Sequence, residues 1–129
     1  MENPARGDSY EEAKKKAKES YKKIGRIWCS ALNNYIIFNS IGFRHLMQKR
    51  GIFRTKEEQK KRFGLLLSAR TILESTETNV EYERRIIERS RVDYWIFTAE
   101  ENGRIIKLIA RRCGSGKIYF LSIYEKIPL

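Results

Sequence analysis

Long apolar runs are missing from this 129-residue chain. No stretch approaches the ~18 consecutive apolar residues of a membrane-spanning helix, and the opening "MENPARGDSYEEAKKK" has no apolar segment of the kind a secretion signal needs. The expectation is a cytoplasmic protein with no membrane partner. Cysteine is scarce: Cys29 and Cys113 are the only two, with no CxxC and no Cys/His cluster. A disulfide framework and a zinc site are therefore not indicated, and both are read as free thiols. Nothing calls for a metal or another cofactor. Internal repeats and low-complexity segments are also absent. Histidine is the scarcest useful residue, with His45 alone.

What is present in excess is positive charge. Lys and Arg number 27 against 16 Asp and Glu, a formal charge of +11. Such a chain is attracted to polyanions, of which nucleic acid is the foremost class. The excess is uneven. Residues 41–70 carry nine basic and two acidic side chains, whereas residues 80–129 carry ten and seven. The middle segment is where a polyanion is expected to sit. The length suits one domain, residues 1–129, and an apolar content of 41% is enough to build one core.

Residues 1–8 are expected to be disordered. Tyr10, Ala13, Ala17, Tyr21 and Ile24 recur at helical spacing among lysines, predicting a basic amphipathic helix over residues 9–26 with Asp8 or Ser9 as its N-cap. A short apolar run, Tyr35 to Phe38, precedes Asn39-Ser40, which can cap a short helix carrying His45 and ended by Gly51. Thr55 with Glu58 three residues later has the form of a capping box. It opens a helix through "TKEEQKKRFGLLLSARTILEST", with Phe63, Leu66, Leu67, Ala69 and Leu73 on its apolar side. After "STETN" the period becomes two, in "VEYERRIIE", "VDYWIFT", "RIIKLIARRC" and "KIYFLSIYEK". The predicted class is α+β, N-terminal helices on one face of a roughly four-stranded antiparallel sheet.

Turn chemistry sets the register. Asn102-Gly103 is a strong hairpin signal, and as a two-residue loop it makes opposed positions sum to 205. Trp95 then opposes Ala110, and Phe97 opposes Leu108. A two-residue Ser115-Gly116 loop makes the next sum 231, which sets Leu121 against Ala110 and Ile123 against Leu108. One face is then apolar across three strands. The other collects Tyr94, Thr98, Lys107, Arg111, Phe120, Ser122 and Tyr124, with Lys107 directly opposite Tyr124. An exposed sheet face of this mixed kind is often merely solvated.

Three stretches, "FNSIGFRHL", "RTKEEQKKRFGLLLSA" and "IIKLIARRCGSGKIYFLSI", together resemble the phage-borne branch (PBECR) of the Barnase–EndoU–Colicin–RelE nuclease superfamily over residues 35–126. The resemblance implies helices followed by a four-stranded antiparallel sheet, and metal-independent RNA cleavage on its open face. Residue by residue, it implies a helix histidine at His45 and a basic stretch leading into an "EQ..R" helix at Arg54, Glu58, Gln59 and Arg62. It also implies a strand-terminal arginine at Arg111 and a last-strand serine at Ser122. "SIY" has the Ser/Thr-x-Tyr form of EndoU-like relatives. Those enzymes use two histidines, however, and this chain has one. A second proton-transfer group is then Lys107, Tyr124 or a carboxylate, or the chemistry is electrostatic as in RelE-like members.

Metal-free RNA cleavage must remove the 2′-hydroxyl proton, stabilise a phosphorane and protonate the leaving 5′-oxygen. His45 has the one unperturbed pKa suited to proton transfer near neutrality. Arg111 suits phosphate oxygens, Lys107 supplies a point charge, and Ser122 and Tyr124 can donate hydrogen bonds. Arg54, Lys60, Lys61 and Arg62, with Lys56, form either a phosphate track or a solvated helix face. Phe53, Tyr94 and Phe120 could stack bases, although such residues more often belong to cores. The expected substrate is tRNA or another structured RNA, in a toxin or phage-conflict effector restrained by an immunity or antitoxin protein. The alternative is an RNA-binding module without catalysis on the same scaffold.

Overall fold

The computed structural model describes residues 6–127. Among the described residues four α-helices occur, α1 (Arg6–Ile24), α2 (Ser40–Met47), α3 (Lys56–Leu65) and α4 (Ala69–Glu74), together with eight strands. The strands are β1 (Arg26–Cys29), β2 (Asn34–Ile37), β3 (Gln48–Lys49), β4 (Ile52–Phe53), β5 (Asn79–Ile87), β6 (Ser90–Glu101), β7 (Arg104–Cys113) and β8 (Tyr119–Lys126). The α+β class stands. The sheet is larger than the four antiparallel strands expected: six strands run β1-β2-β8-β7-β6-β5, and β2 meets β8 in parallel at Ile37 and Tyr119. β3 and β4 pair separately. None of the helices among the described residues is long and apolar enough to cross a membrane.

Local chemistry explains several boundaries. The Asn39 side chain accepts from the Ile41 and Gly42 N–H groups and starts α2, while the Thr55 hydroxyl accepts from Glu58 N–H at 3.1 Å and starts α3. Other boundaries differ from expectation. α1 begins at Arg6, so Asp8 and Ser9 lie within it rather than capping it; residues 1–5 lie outside the described residues. α2 ends at Met47, and Gly51 instead turns the β3–β4 hairpin with φ +80°. The long helix after Thr55 breaks at a 3-10 turn, Leu66–Ser68, which rotates Leu67 out to 81% exposure. Its neighbours Phe63, Leu66, Ala69 and Leu73 are buried as the periodicity predicts.

The first long hairpin has the predicted register, from Glu101 opposite Arg104 to Val92 opposite Cys113. The second agrees over half its length. Ile105 to Ile109 oppose Lys126 to Ser122, but Ala110 faces Phe120 rather than Leu121, and Arg111 faces Tyr119. The two-residue Ser115-Gly116 loop does not form, because β8 begins only at Tyr119. A bulge at Leu121 absorbs the one-residue difference. Phe120 therefore turns into the core, fully buried, and Tyr119 takes the place expected for it beside Arg111.

The core joins Ile27, Ile36, Phe97, Leu108, Phe120 and Ile123 from the sheet to Tyr21, Leu46, Phe63 and Leu73 from the helices. Each such side chain contributes about 1.5–3 kcal/mol by leaving water. One charge is buried with them. Asp93 has no exposure and meets Arg112 at 3.0 Å, Arg84 at 3.2 Å and Arg91 at 3.6 Å, with the Tyr82 hydroxyl donating to it as well. These donors hold its carboxyl down at about 2, with the Tyr82 bond the largest cause.

Candidate functional site

β8 is where helices and sheet meet. β2 covers it only at Tyr119, and α2 packs against it beyond that point. Gly42 makes the approach possible: a Cβ there would collide with the Phe120 carbonyl oxygen, the Phe120 ring and the Tyr21 hydroxyl. His45, three residues later on α2, is half-buried.

The strands after α2 return the chain to it. The Arg54 N–H donates to the Met47 carbonyl at 2.7 Å, and the Arg54 Nε donates to the His45 carbonyl at 3.1 Å. Buried Gln59 donates to the Arg54 carbonyl at 2.8 Å and accepts from the Tyr10 hydroxyl, which ties α1 and α3 to this turn. Arg62 lies on α3. Its Nε donates to Glu58 at 2.9 Å, its Nη1 donates to the Ser122 hydroxyl at 2.9 Å, and its guanidinium lies 5.5 Å from the Tyr124 ring centre. From β7, the Arg111 Nε donates to the Tyr119 hydroxyl.

These side chains share one electrostatic field. Burial lowers the His45 pKa below the ordinary imidazole value, and Arg111, Arg54, Arg44 and Arg62 lower it further, in that order. Arg54 is lowered too, by burial and then by Arg62, with Glu58 opposing. Glu58 is bound to Arg62. Neither Arg54 nor Arg111 has a carboxylate partner among the described residues. The chemical result is an imidazole whose neutral form is favoured by burial and a cationic surround, on a helix that packs against β8. An anion would relieve that surround, and the imidazole is in the state that accepts a proton.

His45 is thus brought together with Arg54, Arg62 and Arg111, and Arg62 links them to Ser122 and Tyr124. The three lysine candidates are placed differently. Lys107 opposes Tyr124 as predicted, and its ammonium donates to Thr98 at 2.8 Å; the pair lies about 13 Å along the strands from Arg111. Lys60 reaches Ser9 on α1 at 3.1 Å. Lys61 is exposed and lines a cleft of about 300 Å³ beside Arg62 and Tyr124. Among possible base-stacking residues, Phe120 is core, Tyr94 lies half-buried with Arg85 4.9 Å from its ring centre, and Phe53 is 66% exposed.

Sequence reasoning missed Tyr119, whose place beside Arg111 depends on a bulge that no local motif marks. It also gave no role to Trp28 and Tyr35, on a strand pair of only four residues each. A second cleft, of about 520 Å³, lies between α1 and α2 against Tyr21, Phe38, Phe43 and Met47, and holds lysines and an arginine but no imidazole or carboxylate. Among the described residues no three His, Cys, Asp or Glu side chains gather as a donor set for a metal ion. No protein-family model, curated protein or solved structure matches this chain.

Proposed function

We propose that this chain is a ribonuclease of the Barnase–EndoU–Colicin–RelE type that cleaves RNA by 2′-hydroxyl attack. The observation that carries the reading is the gathering of Arg54, Arg62 and Arg111 around a single half-buried imidazole, where Glu58 is the one carboxylate ion-paired to any of the three arginines among the described residues. Arginine forks neutralise phosphate oxygens and favour the extra negative charge of a phosphorane. His45, held neutral by that field, takes the proton from the 2′-hydroxyl. The O2′–P bond forms, the P–O5′ bond breaks, and the products are a 2′,3′-cyclic phosphate and a 5′-hydroxyl. In this reading Tyr124, on the same strand as Ser122 and 5.5 Å from the Arg62 guanidinium, gives the leaving oxygen its proton, because the opposed Lys107 is engaged by Thr98.

The substrate class in this reading is tRNA or another structured RNA, and the biological setting is a toxin or phage-conflict effector with an immunity or antitoxin partner. Incubation with total RNA in EDTA tests it. A ladder of fragments ending in 2′,3′-cyclic phosphates is the expected result. A second reading, binding without cleavage, is favoured by one fact: the chain has no other histidine to act with His45. A mobility shift with intact RNA would select it.

A further inference from the structure

The open face of the sheet continues beyond Arg111 and Tyr119. Ile37 is the parallel partner of Tyr119, and Tyr35 precedes it by two residues on the same face of β2. Tyr35 pairs with Trp28, and Arg26 pairs with Ile37. Both aromatics are exposed, Trp28 at 42% and Tyr35 at 40%, while Ile27 and Ile36 between them point into the core with almost no exposure. The two rings meet edge to face, 5.0 Å between centres, and the Arg26 guanidinium lies 4.0 Å from the Tyr35 ring centre. Two strand positions span about 7 Å, and the next strand lies about 4.8 Å away. Tyr35 therefore stands about 8 Å from Tyr119 and, one strand further on, about 12 Å from Arg111, a span of one to two nucleotides.

Charge indicates which partner this aromatic pair suits. Between Glu19 and Glu57 the chain contains no acidic residue, while it contains eight lysines and arginines, Arg26 among them. Arg26 has no carboxylate partner among the described residues, and Glu74, which α4 brings to Ser30 at the end of β1, is bound by Arg70 at 3.0 Å. Aromatic faces interleaved with unopposed arginine suit the π-faces and phosphates of an unpaired strand. A duplex hides its base faces and offers only phosphates and groove edges to such a surface.

We propose that Trp28 and Tyr35 form a stacking platform for unpaired bases on the same sheet face as the Arg111 phosphate position, one to two nucleotides from it, so that the chain takes single-stranded segments in preference to duplex. This rests on the nucleic-acid reading above and adds the strandedness of its substrate. The platform holds bases without hydrogen-bonding their edges, so it is tolerant of sequence.

The test uses a 2′-O-methyl RNA octamer, which cannot supply the attacking hydroxyl, and the blunt duplex of the same sequence. Trp28→Leu/Tyr35→Leu keeps the positions apolar but removes the aromatic faces. Trp28→Phe/Tyr35→Phe keeps the faces. The leucine variant should bind the single strand on the order of 10- to 100-fold more weakly, with duplex affinity and the salt slope unchanged, and the phenylalanine variant should bind near the parent level. Equal binding by the leucine variant and the parent would overturn the platform alone. Equal losses on both oligonucleotides would overturn it as well. A parent protein that binds neither oligonucleotide removes the nucleic-acid reading and the platform with it. Sedimentation that shows the parent as a dimer and the leucine variant as a monomer would assign the face to self-association instead.

Discussion

Arg62 on α3 and Ser122 on β8, sixty residues apart in sequence, are joined by a 2.9 Å hydrogen bond in which the guanidinium donates and the hydroxyl accepts. The acceptor role leaves the serine O–H proton free for another partner. Arg62 thereby sets which way Ser122 donates, and Glu58 fixes Arg62 in turn at 2.9 Å.

If the two act as a unit on a phosphate, Arg62→Lys and Ser122→Ala should not add. Arg62→Lys keeps the charge but loses the fork, and hydrogen bonds to charged groups contribute about 1.5–3 kcal/mol, so cleavage should fall about 10- to 100-fold. Ser122→Ala should cost about 10-fold. The double variant should be little worse than Arg62→Lys alone, read by single-turnover cleavage. Additive losses would mean that the serine contributes independently of the arginine.

The imidazole gives a sharper readout because it is the only one. His45 is shifted below its ordinary value, first by burial and then by arginines. Its ring signal in NMR should titrate below about 6.5. Arg111→Leu removes the largest charge acting on it, so the half-point should move up toward that value. Cleavage that needs the neutral ring should follow the same titration: activity lost as pH falls through the folded pKa, and lost at a higher pH in the Arg111 variant. The same sign holds for stability, since the unfolded chain binds this proton more readily and folding weakens as pH drops below the unfolded value. A half-point unmoved by Arg111→Leu would place that guanidinium too far away to matter.

How much of this was legible depended on whether the cause was local. Asn102-Gly103 fixes a hairpin register through its own backbone preferences, and every pair from Glu101/Arg104 to Val92/Cys113 follows. Asn39 and Thr55 cap helices with their own side chains. The Leu121 bulge has no such local cause. It goes with Phe120 pressing against Gly42 of α2, a contact between segments nearly eighty residues apart, and period-two counting therefore placed Phe120 on the wrong face. The same holds for the site. The resemblance names His45, Arg54, Arg62, Arg111 and Ser122, but that Thr98 engages the Lys107 ammonium and that Tyr119 joins Arg111 depend on side-chain contacts that composition does not encode.

Asp93 makes an acid-stability prediction. Its carboxyl is held at about 2 against an ordinary value of about 3.9, so it stabilises the fold fully above about 4. That contribution should fade as pH falls from about 4 to about 2. Asp93→Asn should lower stability at neutral pH and flatten this acid limb, measured by urea unfolding between pH 2 and 6. Tyr82→Phe, removing the largest single cause of the shift, should move the limb to higher pH. An acid limb of the same depth in Asp93→Asn would assign it to other carboxylates.

Gly42 tests whether the site is built by the seating of α2 on β8. A methyl group there meets the Phe120 carbonyl oxygen, which cannot rotate away, as well as a ring and a hydroxyl. Overpacking of this kind costs about 1–3 kcal/mol, and for a domain of this size each 1 kcal/mol lowers the melting midpoint by about 3–6 °C. Gly64 is the internal control. It lies in α3 with no atom within 4 Å of an added Cβ, so Gly64→Ala should melt at or above the parent temperature because alanine favours helix by up to about 1 kcal/mol. The two substitutions are chemically identical and differ only in what the methyl meets. Gly42→Ala should also displace His45, one turn further along the same helix, so its cleavage should fall at temperatures where the variant is fully folded, with its imidazole titrating nearer the ordinary value. If Gly42→Ala melts like Gly64→Ala, α2 does not rest on the β8 backbone, and the placement of His45 beside Arg111 goes with it.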